Sequence, residues 1–145
     1  MLYSGQARQQ GGKRQVAKSS STKARAVAVR TLAMPADTNP AGDIFGGWLM
    51  SQMDIAGAIV AHQRARGRVV TVAVDGMEFH QPVFVGDLVS CYTTIMRTGR
   101  SSITVHIETE AQRGRSGETV KVTEGTFVYV AINDDYCPRA LPEEA

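Results

Sequence analysis

The spacing of apolar and polar positions divides the chain into one helical stretch and several stretches of period two. Val27, Val29 and Thr31 alternate with smaller neighbours and predict a first strand over residues 24–34, ended by Pro35. From Trp48 to about Ala65 the pattern changes. Leu49, Met50, Met53, Ile55, Ala56, Ile59 and Val60 cover most of a helical wheel, with Ser51, Gln52 and Asp54 as its few polar breaks. A helix apolar nearly all round is expected to be buried. Ala56, Gly57, Ala58 and Ala61 suit close approach by a sheet, and Gly67, after Arg64 and Arg66, marks the helix end. The remainder reads as strand: 69–79 with a bulge expected at Gly76, then 88–97, 101–111 and 118–132, separated by turn formers such as Pro82, Gly86 and Gly99. In the third of these, Ile103, Val105 and Ile107 share one face and Thr104, His106 and Glu108 the other. The order β-α-β-β-β-β predicts an α+β domain, one long helix covered by an antiparallel sheet.

Composition changes this picture mainly at the N-terminus. The first 30 residues hold seven of the 16 basic side chains and no acid, which leaves nine basic and 14 acidic groups in the rest. The domain itself is therefore acidic, and the net charge of +2 is weak support for nucleic-acid binding. Residues 1–23 read as a flexible basic tail, too poor in apolar residues to order themselves, with the domain over 24–145. No secretory signal is recognisable in the tail. Gln52 and Asp54 make the helical stretch a poor membrane span. Two cysteines are too few for a disulfide framework, so Cys91 reads as a small core residue in a reducing, cytoplasmic setting. Neither cysteine has metal-ligand spacing, no His-Glu-x-x-His or Gly-x-Ser-x-Gly occurs, and no metal or cofactor is expected.

The chemistry concentrates in residues 37–48. Asp43 precedes the helix start, and Gly46 and Gly47 fall at its first N–H groups, which lack intrahelical partners and carry the positive end of the helix dipole. That is the composition of an oxyanion hole beside a fixed carboxylate. It is equally the composition of a capped helix, with Asp43 as N-cap and Asn39 as a turn residue.

The chain resembles the YciA-type acyl-CoA thioesterases, a group with the hot-dog fold. The resemblance rests on Asp37-Thr38-Asn39, the run from Gly42 to Trp48, Ser51-Gln52-Met53-Asp54, the run from Gly67 to Met77, Pro82-Val83, Val85-Gly86-Asp87, Thr98-Gly99 and the run from Pro138 to Pro142, in that order. It implies a curled antiparallel sheet around one helix, Asp43 as catalytic carboxylate, the thioester carbonyl near Gly46 and Gly47, and Asn39 as a helper. It implies acyl-CoA as substrate and coenzyme A as product. It also implies edge-to-edge dimers with sites at the protomer interface, assembled as trimers of dimers. Asp43 would activate water as general base, or attack the thioester directly. The turn of Gly99, Arg100, Ser101 and Ser102, with Arg68 and Arg139, offers donors for the coenzyme A phosphates; a plain hairpin turn and solvated charges are the alternative. Trp48, Met53, Met77 and Phe79 are the expected acyl pocket. The sequence departs from the group at Pro40 and at Glu78-Phe79-His80-Gln81, positions that bear on acyl preference rather than on the reaction. A hydratase would need a His paired with its acid, but the position five after Asp43 is Trp48. The remaining alternative is a non-catalytic acyl-CoA sensor on the same fold.

Overall fold

The structure is a computed structural model that describes residues 25–144, and the basic tail expected over residues 1–23 lies outside them. Strand β1 (Ala26–Leu32) leads through a short 3-10 turn (Pro35–Asp37) and a loop into helix α1 (Gly46–Ala65). Four strands follow: β2 (Val69–Phe79), β3 (Leu88–Thr98), β4 (Ser102–Gln112) and β5 (Thr119–Ala131). They form one antiparallel sheet in the order β1-β3-β4-β5-β2, so that β1 and β2 are its edges. The periodicity thus predicts the elements and their order, and the bulge near Gly76 is present as a register shift between Asp75 and Glu78.

The sheet curls round α1, which packs against all five strands. The alternation in β3, β4 and β5 decides which side chains meet the helix. Cys91, Ile103, Val105, Ile107, Phe127, Tyr129 and Ala131 form the main core with Met53, Ala56, Ala61 and Ala65 of α1. Close packing depends on Gly57, where an added Cβ would run into the Tyr129 hydroxyl. A second cluster of Ala33, Ile44, Leu49, Val83, Val89, Ala111 and Val122 anchors the loop before α1.

Two expectations need correction. The helix is not buried all round: Ile55 is 50% and Ile59 38% exposed, beside an edge strand whose Val72 and Val74 are also exposed. A single sheet covers one side of a helix, and this sequence is apolar on both. The helix also ends differently from the reading of Gly67 as its left-handed stop. Arg66 takes the left-handed conformation at φ 54°, while Gly67 leaves room for the Arg139 guanidinium, whose Nη2 lies 2.6 Å from where a Gly67 Cβ would sit. Among the described residues no helix is long and apolar enough to cross a membrane.

Candidate active site

The loop before α1 is built on Asn39. Its side-chain oxygen accepts hydrogen bonds from the backbone N–H groups of Ala41 (2.9 Å) and Asp43 (3.1 Å), and its own N–H donates to Asp43 O. With that oxygen engaged twice, the side-chain NH2 of Asn39 is the part left to meet a ligand. The N-cap of α1 is Phe45, without a side-chain cap bond, so Asp43 does not cap the helix. The first N–H groups of α1, those of Gly46 and Gly47, consequently face out of the helix end uncapped. Phe79, at the end of β2, lies across this opening, its ring 3.6 Å from where a Gly46 Cβ would sit.

Asn39, Asp43, Gly46 and Phe79 line one groove of about 390 Å³, walled further by Leu49 and by the segment from His80 to Val83. The far wall is held from behind. Ile44 N–H donates to Val83 O, and buried Asp87 accepts from Phe84 N–H and from Arg113, which also donates to Pro82 O.

The other expected acyl-pocket residues do not reach the groove. Met53 is fully buried in the main core, Met77 packs against that core, and Trp48 packs against the second cluster. The expected coenzyme A set gathers at the opposite, C-terminal end of α1. A 20-residue helix puts about 30 Å between the two ends. There Arg139 donates from Nη2 to Ala65 O (2.9 Å) and from Nε to Ile132 O (3.1 Å). The Gly99–Ser102 turn is closed by Gly99 N–H on Ser102 O, and Leu141 N–H binds Arg100 O while Ala131 N–H binds Ser101 O. Arg68 and Arg100 are both exposed, Arg68 lying 4.6 Å over the Tyr136 ring and 3.9 Å from Asp134.

A second carboxylate stands in the middle of α1. The sequence presents Asp54 only as a polar break in an apolar helix. In the structure it is partly buried, and its Oδ1 accepts from Thr71 Oγ1 on β2 (2.7 Å) and from the Tyr129 hydroxyl on β5 (3.1 Å). Thr71 and Tyr129 are direct cross-strand partners, so one rung of the sheet serves one carboxylate. The signal available beforehand was the carboxylate itself: an acid on such a helix needs fixed partners or a function.

The thioesterase superfamily profile matches residues 41–118. Acyl-CoA thioester hydrolase YciA of Escherichia coli (strain K12) is 56% identical over 119 residues, spanning 80% of this chain and 90% of that protein. The chain belongs to the YciA-type acyl-CoA thioester hydrolases. Solved structures agree on the fold. A hexameric thioesterase from Yersinia pestis matches with a TM-score of 0.79 at 58% identity, over 82% of this chain and 97% of the other. A hexameric broad specificity acyl-coenzyme A thioesterase, solved as an aspartate-to-alanine mutant enzyme, matches with a TM-score of 0.80 at 48% identity, over 82% of this chain and 88% of the other. The helix-in-sheet architecture described above is therefore the hot-dog fold of this family.

Proposed function

We propose that this family member hydrolyses acyl-CoA thioesters at the groove over the N-terminus of α1, with the thioester carbonyl directed at Asn39, Gly46 and Gly47. The observation that carries the proposal is the orientation of Asn39, whose oxygen is held by two backbone N–H groups while its NH2 has no hydrogen-bond partner among the described residues. The uncapped helix N–H groups supply further donors and the positive end of the helix dipole. A water attacks the carbonyl carbon, the tetrahedral oxyanion is held by these donors, and the carbon–sulfur bond breaks to release the coenzyme A thiolate. The proton taken from the water by a carboxylate passes to the thiolate.

Two carboxylates compete for that proton. The sequence points to Asp43, which lines the groove but is exposed on a loop, with no side-chain hydrogen bond among the described residues. The geometry favours Asp54, whose carboxylate is partly buried and fixed by Thr71 and Tyr129. A general base works best when it is held in place, because misplacement costs rate. Asp54 adjoins β2, an edge strand whose Val72 and Val74 are exposed beside exposed Ile55 and Ile59 of α1. Unpaired edges beside apolar surface invite a second copy. Antiparallel pairing of two β2 edges sets the Thr71 end of one beside the Phe79 end of the other. Asp54 of one protomer then faces the Asn39 groove of its partner, and the Arg68 end comes to the same place to meet the coenzyme A phosphates. The hexameric state of the relatives fits a trimer of such dimers. A cytoplasmic setting suits the free thiols of Cys91 and Cys137.

Free-thiol release from a panel of short to long acyl-CoAs, measured for the native protein, Asp43→Ala and Asp54→Ala, tests this reading. Turnover lost in Asp54→Ala and retained in Asp43→Ala supports the composite site. The reverse result returns the base to Asp43. No release by the native protein, with coenzyme A still bound, would leave an acyl-CoA sensor instead of an enzyme.

A further inference from the structure

We infer that Tyr129, acting with Thr71, is a positioning residue that fixes the Asp54 carboxylate and directs its second oxygen to the reacting water. The inference rests on the assignment of Asp54 as base. It starts from a polar atom in the core: Tyr129 is fully buried on β5, in a cluster otherwise made of apolar side chains. A phenylalanine would fill the same volume, so the hydroxyl is what distinguishes this choice, and a buried hydroxyl needs a partner. Among the described residues its hydrogen-bond partner is Asp54, through the main-chain oxygen (2.9 Å) and through Oδ1 (3.1 Å). Thr71 Oγ1 donates to the same Oδ1 at 2.7 Å.

The consequence is an asymmetric carboxylate. Oδ1 accepts from Thr71 Oγ1 and shares the single Tyr129 proton with the Asp54 main-chain oxygen, whereas Oδ2 has no hydrogen-bond partner among the described residues and is the oxygen free to take a proton. The phenol ring is held firmly enough to impose this. It stacks on Phe127 with centroids 6.4 Å apart and sits directly over Gly57, which has no side chain to displace it. Burial first, and then the neighbouring Asp54, push Tyr129 ionisation well above the ordinary phenol range. The hydroxyl therefore stays protonated across the working range and serves as a donor only.

The test is steady-state hydrolysis of one acyl-CoA by Tyr129→Phe, Thr71→Val and Asp54→Asn, and by Tyr129→Phe combined with Asp54→Asn. A hydrogen bond to a charged group corresponds to roughly tenfold to a hundredfold. Tyr129→Phe and Thr71→Val should each lose about that factor in kcat, with KM unchanged and the assembly intact by size-exclusion chromatography. In the Asp54→Asn background, Tyr129→Phe should cost no further rate, since groups acting through one another are not additive. Native kcat in both Tyr129→Phe and Thr71→Val overturns the inference. So does an equal loss from Tyr129→Phe in both backgrounds, which would make the hydroxyl merely structural. Native kcat in Asp54→Asn removes the base itself, and the single variants report that failure separately. Should Tyr129→Phe fold poorly, Thr71→Val at the exposed edge strand decides alone, because it removes the other donor to the same oxygen.

Discussion

The two ends of α1 use their polar groups in opposite ways. At the C-terminal end two of the last helix carbonyls have donors: Arg139 binds Ala65 O, and also Ile132 O beyond β5, while Gly67 N–H binds His62 O. At the N-terminal end the first N–H groups have no side-chain cap, and Asn39 presents an NH2 into a groove. Both ends are rich in residue types that bind anions. At the C-terminal end Arg139 is engaged by backbone carbonyls, whereas at the N-terminal end the Asn39 NH2 and the N–H groups of Gly46 and Gly47 have no hydrogen-bond partner among the described residues. Residue type therefore marks where anion chemistry is feasible, and hydrogen-bond occupancy marks where the fold has left it available.

The contrast breaks most directly at Asn39. Asn39→Asp keeps the oxygen that accepts from Ala41 and Asp43 N–H and removes the NH2 donor, so the loop should persist while the site loses a donor and gains a negative charge. Loss of one oxyanion donor corresponds to about 10²–10³ in kcat. The expected outcome is a kcat reduction of that order with little change in melting temperature. A near-native kcat would move the carbonyl away from Asn39.

The same contrast shows what could be read in advance. Strand alternation and the helical stretch predict the element order because those periods reflect local geometry. Asn39, Asp43, Gly46 and Phe79 meet in one groove, and the first three are close in sequence. Met53 and Trp48 are apolar residues near the site, but which side of α1 faces the sheet is a tertiary fact. Arg139 is a cation among turn residues, and its acceptors, Ala65 O and Ile132 O, come to it only in the fold. Asp54 is the clearest case: its partners Thr71 and Tyr129 are 17 and 75 residues away. No local pattern marks a carboxylate by partners that distant.

At the C-terminal end the smaller effect should fall on stability. Arg139→Ala leaves the carbonyls of Ala65 and Ile132 without their charged donor. Hydrogen bonds involving a charged group are worth about 1.5–3 kcal/mol. Chemical denaturation should show a loss of that order, with kcat retained and KM for acyl-CoA little changed. A KM rise with unchanged stability would instead put Arg139 on a coenzyme A phosphate, and the two ends would cease to differ in kind.

The smallest effect is a control on the outer face of the sheet, where Lys121 bridges Glu108 (3.3 Å) and Glu124 (3.1 Å). Burial raises the Glu108 carboxyl, but hydrogen bonds from Lys121 and Arg25 outweigh it and hold the group below its ordinary range. Glu124 is held low mainly by Lys121, against burial and with help from His80. A carboxyl depressed in the folded state stabilises above its unfolded value of about 4.3, and that contribution is lost as the pH falls through the folded value. Lys121→Gln should therefore lower the melting temperature slightly at neutral pH and leave it unchanged at low pH, so that the acid-side fall is a little shallower, the effect being small because exposed ion pairs contribute little. Its kcat at neutral pH should equal the native value. Because Glu124 also touches His80, which lines the groove, a lower kcat would show that the outer face reaches the site through that contact. The functional asymmetry would then extend beyond the ends of α1.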